Sequence, residues 1–265
     1  TNAIEVCKTM VAPLLSEILG EPIGVFKRIM DKNEALVTIL LGSLQKYTFK
    51  TGVAKIAKEG GDVSGDSYCY MPLGTGKYLI ALSDGMGTGD RAHDESLSAI
   101  NLLRKLLRAG VDVEKVLDTV NAILRLRSKE EMFATLDLAV IDTSTGMGSF
   151  VKVGSTPGFI KHKKGITPLV AQAPPAGILA RIEVKPVIHK LQADDFLIMM
   201  TDGAYDALEQ DLPALLKQIT VKDSQLFADQ LLARVLAQNV NDDVTVLVSK
   251  MEPYVPEWAT FSSCR

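Results

Sequence analysis

The residues KYLIALSDGMGTG, from Lys77 to Gly89, join an apolar run directly to an aspartate and a glycine-rich turn. The run from Tyr78 to Leu82 has the length and composition of a buried strand, and the glycines after Asp84 indicate a turn. A carboxylate at the end of a buried strand is costly unless it is paired with a cation or bound to a metal. This stretch therefore predicts a sheet whose edge carries Asp84 as a metal-binding or ion-paired residue.

Three more acidic positions have a similar setting. Asp66 ends the segment VSGD, Asp202 follows the apolar run Phe196–Met200 in TDG, and Asp242 lies in NDDVT. A turn explains any one of these motifs by itself, because Asp-Gly and Asp-Asp are common turn residues. Four of them, each at a predicted strand end, favour a shared site.

The residue types at this shared site predict which metal it binds. Glycine after an aspartate lets the backbone come close, so the carbonyl oxygen of Gly85 is a candidate ligand beside the carboxylates. Oxygen ligands suit hard cations such as Mg²⁺ or Mn²⁺. The three histidines, His93, His162 and His189, have no metal-ligand spacing.

Other catalytic motifs fit poorly. Residues 62–73 begin like a calcium-binding loop but place Leu73 where that loop needs glutamate, and the glycine runs near residues 74 and 85 match neither a phosphate-binding loop nor a dinucleotide fingerprint. The segment GSTPG, residues 154–158, lies between two predicted strands, so it is a poor nucleophile elbow. We interpret it as a binding loop with Ser155 and Thr156 as candidate substrate-binding residues.

Composition limits the classes of function. The chain has 265 residues, 47% of them hydrophobic, and carries 29 Lys and Arg against 32 Asp and Glu without a long block of either sign. This balance does not support nucleic-acid binding. Three distant cysteines fit a reducing compartment, and no apolar stretch reaches the roughly 20 residues of a membrane-spanning helix. The first residues lack both Met and a signal peptide, so we expect a segment of a longer chain.

The order of predicted elements suggests three parts. Short interrupted helices are predicted for residues 4–31, and residues 1–50 are interpreted as a helical extension, linker or dimer contact. Residues 51–250 combine hairpins, two amphipathic helices and further strands, which predicts sheets covered by helices. Residues 251–265 form a predicted C-terminal tail.

The four acidic motifs resemble those of the metal-dependent phosphatases of the protein phosphatase 2C class, over roughly residues 51–250. The resemblance implies an α+β fold, a two-sheet antiparallel β-sandwich flanked by helices, with two Mn²⁺ or Mg²⁺ ions. It implies that Asp84 bridges the ions, that Asp202 and Asp242 complete one site, and that Asp66 and the Gly85 carbonyl serve the other. Asp84 and Asp202 are the expected catalytic residues. Asp243 competes with Asp242 as a ligand.

Motifs such as SDGMGTG at 83–89, ATLDL at 134–138 and KVGSTP at 152–157 are similar to the phosphatase domain of the stage II sporulation protein E family. This implies hydrolysis of phosphoserine by a metal-activated water, on an anti-sigma factor antagonist. It also implies a cytoplasmic, C-terminal location in a membrane-anchored bacterial chain, with no membrane contact by this segment. Two alternatives stay open: a phosphatase-like module that binds without hydrolysis, and a two-metal hydrolase of another phosphoryl substrate.

Overall fold

Two five-stranded antiparallel sheets form the centre of the molecule. The computed structural model describes residues 2–30, 37–58, 61–74, 76–87, 89–127, 133–170, 173–182, 184–238 and 240–255. One sheet has the strand order β10-β7-β6-β5-β4, the other has the order β3-β12-β11-β8-β9, and β1 pairs with β2 in a separate hairpin. The strands are β1 Ile23–Met30, β2 Val37–Ser43, β3 Tyr47–Ile56, β4 Asp66–Pro72, β5 Lys77–Asp84, β6 Leu136–Asp142, β7 Met147–Val153, β8 Gly158–His162, β9 Gly165–Leu169, β10 Val187–Lys190, β11 Phe196–Met200 and β12 Val244–Pro253.

Helices open the chain and also cover the outer face of each sheet. They are α1 Asn2–Val6, α2 Ala12–Leu19, α3 Asp90–Arg108, α4 Val113–Arg127, α5 Asp202–Leu208, α6 Leu212–Gln218 and α7 Ser224–Leu236, with a π-helical turn Cys7–Val11 between α1 and α2. In α3 the buried residues Ala99, Leu103 and Leu107 recur at four-residue spacing, which turns one apolar stripe toward the sheet. Acidic Asp90 in its first turn and basic Arg108 in its last turn both complement the helix dipole.

Three apolar clusters separate the layers. The α3 and α4 helices pack on one sheet, α5, α6 and α7 pack on the other, and a third cluster fills the space between the sheets. Strand β11 shows the consequence of this arrangement, because Ile198 faces the helices while Leu197 and Met199 face the opposite sheet. All five of its residues are buried, as its continuous apolar sequence predicts.

The predicted fold class, a helix-flanked two-sheet sandwich, is confirmed. The helical prediction for residues 4–31 is wrong beyond Leu19, because Ile23–Met30 pairs with Val37–Ser43 as a hairpin. Strand β3 runs from Tyr47 to Ile56 and pairs with β12 along its length, so the predicted boundary after residue 50 falls inside a strand. Of the predicted tail, residues 251–253 belong to β12 and residues 256–265 lie outside the described residues.

None of the helices in the described part of the chain is both long and apolar enough to span a bilayer.

Candidate metal centre

Asp66 and Asp84 lie side by side at one edge of the first sheet. Strand β4 begins at Asp66 and strand β5 ends at Asp84, and the two residues are Cα partners in the antiparallel ladder. The ladder continues along both strands without a break. The backbone therefore brings together two acids that are 18 positions apart in the sequence.

Asp202 and Asp242 lie next to the ends of two neighbouring strands of the second sheet. Asp202 follows β11 and opens α5, while Asp242 precedes β12, the antiparallel neighbour of β11. A Cβ atom on Gly203 would lie 2.3 Å from the carbonyl oxygen of Asp243 and 3.2 Å from Cβ of Asp242. Only glycine allows this approach, which explains why glycine follows the aspartate here.

The four acids share one electrostatic environment. Burial raises the pKa of Asp84 to about 8, with further contributions from the negative charges of Asp66, Asp202 and Asp242. Burial also raises the pKa of Asp202. Clustered carboxylates resist simultaneous ionisation unless positive charge is supplied. The four positions singled out from the sequence therefore converge across the two sheets.

Asp66 is the most enclosed of these acids. Its side chain is buried, and its Oδ2 accepts hydrogen bonds from Thr245 Oγ1 at 2.6 Å and Thr201 Oγ1 at 3.1 Å. Its Oδ1 is buried without a hydrogen-bond partner. Burial raises the pKa of Asp66 to about 6, against the lowering effect of the two threonine hydroxyls. An unsatisfied buried carboxylate oxygen is a suitable ligand for a hard cation.

The donor set fits divalent cations that prefer oxygen. The backbone carbonyl of Gly85 lies beside the Asp66 turn, since a Cβ atom on Gly65 would lie 3.4 Å from it. Within the described ranges, no three His, Cys, Asp or Glu side chains are gathered into a ready-made metal cluster. The negative charges of Asp66, Asp202 and Asp242 instead act on Asp84 electrostatically. The acids are neighbours, and their side chains would have to turn toward a shared ion.

A small cavity lies between Asp84, Asp202 and the loop at residues 154–156. Ser155 Oγ is buried without a partner, whereas Thr156 Oγ1 donates to the carbonyl oxygen of Met200 at 2.6 Å. The donor of Thr156 is therefore engaged, and that of Ser155 is not. The cavity is lined by Leu82, Asp84, Thr135, Asp137, Gly154, Ser155, Thr156, Met200, Thr201 and Asp202.

A family model described as "Stage II sporulation protein E (SpoIIE)" matches residues 74–252, about two thirds of the chain. The chain belongs to the stage II sporulation protein E family. Among curated relatives, it is 38% identical over 267 residues to the stage II sporulation protein E of Priestia megaterium, covering 97% of this chain and 46% of that protein. The chain spans less than half the length of the curated relatives that it matches here.

Solved structures share this fold. The chain is 39% identical to the protein phosphatase 2C domain and regulatory-domain fragment of SpoIIE from Bacillus subtilis, with a TM-score of 0.77 over 93% of this chain and 75% of that chain. RsbX, solved in complex with magnesium, has a TM-score of 0.64 at 18% identity, over 87% of this chain and all of that one. The predicted class, a phosphatase domain of the protein phosphatase 2C type, is confirmed.

In this member of the SpoIIE family, the neighbouring acids Asp242 and Asp243 have different surroundings. Asp243 is 4% exposed, and its two carboxylate oxygens accept hydrogen bonds from the backbone N–H of Lys58 and of Gly65, each at 2.7 Å. Asp242 is exposed and contributes to the charge around Asp84. Sequence left both acids as candidate ligands. The geometry gives Asp243 a structural task, which is to hold the turn before Asp66.

Two residues of α3 secure the Asp66 turn, and sequence reasoning assigned neither of them a role. Ser96 is buried, and its Oγ donates to the Gly65 carbonyl at 2.5 Å and contacts Ser67 Oγ at 2.8 Å. The ring Nδ1 of His93 lies 3.1 Å from the Ser64 carbonyl oxygen. The sequence signal that could have indicated these roles is a histidine and a serine three residues apart on a predicted amphipathic helix.

Proposed function

We propose that this domain is a metal-dependent protein serine phosphatase. The observation that carries the proposal is the convergence of Asp66, Asp84, Asp202 and Asp242 from four separate segments, together with the unpartnered buried Oδ1 of Asp66. Such a set of oxygen ligands suits two Mn²⁺ or Mg²⁺ ions, with the Gly85 carbonyl as a further ligand. Asp84, placed between the other acids, is the proposed bridging residue.

The protein contributes to the reaction by holding the metal ligands in place and by orienting the phosphoryl group. When bound, paired divalent cations lower the pKa of water and offset charge on the phosphoryl oxygens. Asp66 is fixed for this task by Thr201 and Thr245, and Asp243 fixes the turn before Asp66. The hydroxyl of Ser155 is the proposed contact to a phosphoryl oxygen. Thr156 is a weaker candidate, because its hydroxyl proton is already donated to Met200.

The proposed substrate is a phosphoserine on a partner protein, and membership of the sporulation family favours a phosphorylated anti-sigma factor antagonist. The proposed setting is the cytoplasmic, C-terminal part of a longer membrane-anchored chain. Chain coverage of 46% of a relative is consistent with that setting. Nucleic acid is not a proposed substrate, given the nearly balanced charge of the chain.

The first 50 residues are proposed to act as an extension that pairs two copies of the chain. Four apolar side chains on the N-terminal helices recur at four-residue spacing and are 42–69% exposed, namely Val6, Met10, Leu14 and Ile18. Such a stripe suits a helix partner. Sedimentation of the chain with and without residues 1–20 tests this, and an unchanged mass would contradict it.

One assay tests the phosphatase proposal. The purified chain is incubated with a phosphoserine protein, with p-nitrophenyl phosphate or with a DNA oligonucleotide, in Mn²⁺ or in excess chelator. We expect Mn²⁺-dependent phosphate release that is fastest from the phosphoserine protein. Tight binding without phosphate release would support the non-catalytic module, and faster hydrolysis of the small ester or of DNA would support another two-metal hydrolase.

A further inference from the structure

Directly beside the acidic cavity, a lysine and an aspartate form a buried pair. Asp137 on β6 and Lys152 on β7 are Cα partners in the antiparallel ladder, and their side chains are 3% and 2% exposed. Lys152 Nζ is hydrogen bonded to Asp137 Oδ2. The same nitrogen donates to the carbonyl oxygen of Thr156 at 2.8 Å. Asp137 also lines the cavity that contains Asp84 and Asp202.

Stability alone is a weak explanation for this pair. Two ionisable groups lose their hydration when they are buried, and apolar residues of similar volume at such sites are often neutral or stabilising. Burial raises the pKa of Asp137 and lowers the pKa of Lys152, and each partner opposes the shift of the other. A hydrogen bond joins the two groups whichever of them holds the proton. What the pair supplies, and an apolar pair would not, is a directed donor for the Thr156 carbonyl.

Three anchors fix the loop around Ser155. Gly154 N donates to the carbonyl oxygen of Ala173 at 2.7 Å, Thr156 Oγ1 donates to Met200, and Lys152 Nζ donates to the carbonyl of Thr156. Ser155 stands between these anchors with its hydroxyl buried and free of partners in the described structure. The lysine therefore joins Asp137 within the sheet to the loop that carries Ser155, a residue that lines the cavity and whose hydroxyl has no partner in the described structure.

We propose that Lys152 and Asp137 are positioning residues that hold the loop Gly154–Thr156 so that the Ser155 hydroxyl meets a phosphoryl oxygen of the substrate. That the substrate carries a phosphoryl group rests on the proposed function. Asp137 orients the ammonium group, the ammonium group fixes the Thr156 carbonyl, and the adjacent peptide sets the direction of Ser155. Neither residue touches the substrate.

The test replaces the pair without leaving a charge alone in the interior. The variant K152M/D137V places apolar side chains at both positions. K152M by itself leaves the buried Asp137 carboxyl group without its lysine partner. K161M is the matched control, because Lys161 also donates to two backbone carbonyls, those of Leu216 and Ile219, and lies outside the cavity lining. S155A is made in the wild-type chain and in the K152M/D137V chain.

Three measurements follow. In K152M/D137V, we expect amide hydrogen exchange of residues 154–156 to be about 10-fold faster, with the strand amides unchanged. We expect kcat for a phosphoserine protein to fall by about 10- to 100-fold, while Mn²⁺ affinity measured by calorimetry stays at the wild-type value. S155A should lower kcat about 10-fold in the wild-type chain and less than about 2-fold in K152M/D137V, because coupled residues are not additive.

Each contrary result overturns the inference. Loss of the cooperative thermal transition in K152M/D137V would make the pair a stability element. A parallel loss of Mn²⁺ affinity would mean that the Lys152–Asp137 pair acts on the metal-binding acids. An effect of about 10-fold for S155A in K152M/D137V would mean that the pair does not act through Ser155. If wild-type protein releases no phosphate from any phosphoserine protein, the proposed function fails. The hydrogen exchange of residues 154–156 then still decides whether the pair holds the loop.

Discussion

Asp66 and Asp137 are both buried near the same cavity, yet their charges are balanced in opposite ways. Asp137 is 2% exposed and meets the ammonium group of Lys152 on the next strand. Asp66 is fully buried, and its carboxylate accepts from the neutral hydroxyls of Thr201 and Thr245, while Lys55 donates to its backbone carbonyl and one carboxylate oxygen has no partner. The protein interior thus balances the charge of Asp137 with Lys152. It leaves the other acid suited to a cation from solution.

The comparison distinguishes a structural carboxylate from a ligand by its donors rather than by its burial. Asp137, which accepts from the Lys152 ammonium group, and Asp243, which accepts from two backbone N–H groups, have structural roles. Asp66, which lies among other acids and has a carboxylate oxygen without a hydrogen-bond partner, is suited to bind a metal ion. The sharpest way to break this distinction is to neutralise single acids and to follow activity, metal affinity and stability separately.

Neutralising Asp84 is expected to have the largest effect. Asp84→Asn removes the charge that stands among Asp66, Asp202 and Asp242, so turnover of a phosphoserine protein should fall by more than about 100-fold. The melting temperature in chelator should stay equal or rise, since repulsion among the acids decreases. Steady-state phosphate release and circular dichroism measure the two quantities. The control is Asp118→Asn, an exposed acid on α4, and wild-type-like turnover by Asp84→Asn would refute the assignment.

The adjacent pair Asp242 and Asp243 tests the distinction within one turn. Asp242→Ala should weaken Mn²⁺ binding and change the free energy of unfolding by less than about 0.5 kcal/mol, because its side chain is exposed. Asp243→Ala should lower the free energy of unfolding by about 3 kcal/mol, because it leaves the N–H groups of Lys58 and Gly65 without an acceptor. Calorimetry and urea unfolding separate the outcomes. Equal effects of the two substitutions on both quantities would remove the distinction.

The sequence predicted most of the strands and the convergence of the acids, for a physical reason. Runs such as Tyr78–Leu82 and Phe196–Met200 are apolar on both faces, so their strand character and the strand ends that carry Asp84 and Asp202 follow from local pattern. The β1–β2 hairpin was not predicted, because the apolar residues of 4–31 also fit helical spacing. Only tertiary pairing with Val37–Ser43 decides between the two.

The partners of the site residues could not be predicted. Asp242 and Asp243 are identical in type and adjacent in sequence, and what separates them is contact with Lys58 and Gly65, more than 170 positions away. The Lys152–Asp137 pair depends on strand register, which the sequence of either strand leaves open. Long-range contacts of this kind decide roles that residue type alone does not.

The smallest expected effect concerns the donors around Asp66. Thr245→Val keeps the shape of the side chain but removes the hydroxyl that donates to Asp66 Oδ2 at 2.6 Å. Mn²⁺ affinity should fall by about 10-fold, because an outer residue that orients a ligand is lost. Thr245→Ser is the matched control, since it retains the hydroxyl and should bind Mn²⁺ like the wild-type chain. If Thr245→Val also binds Mn²⁺ like the wild-type chain, Asp66 does not need this donor as a metal ligand, and a structural role like that of the lysine-paired Asp137 becomes the better description.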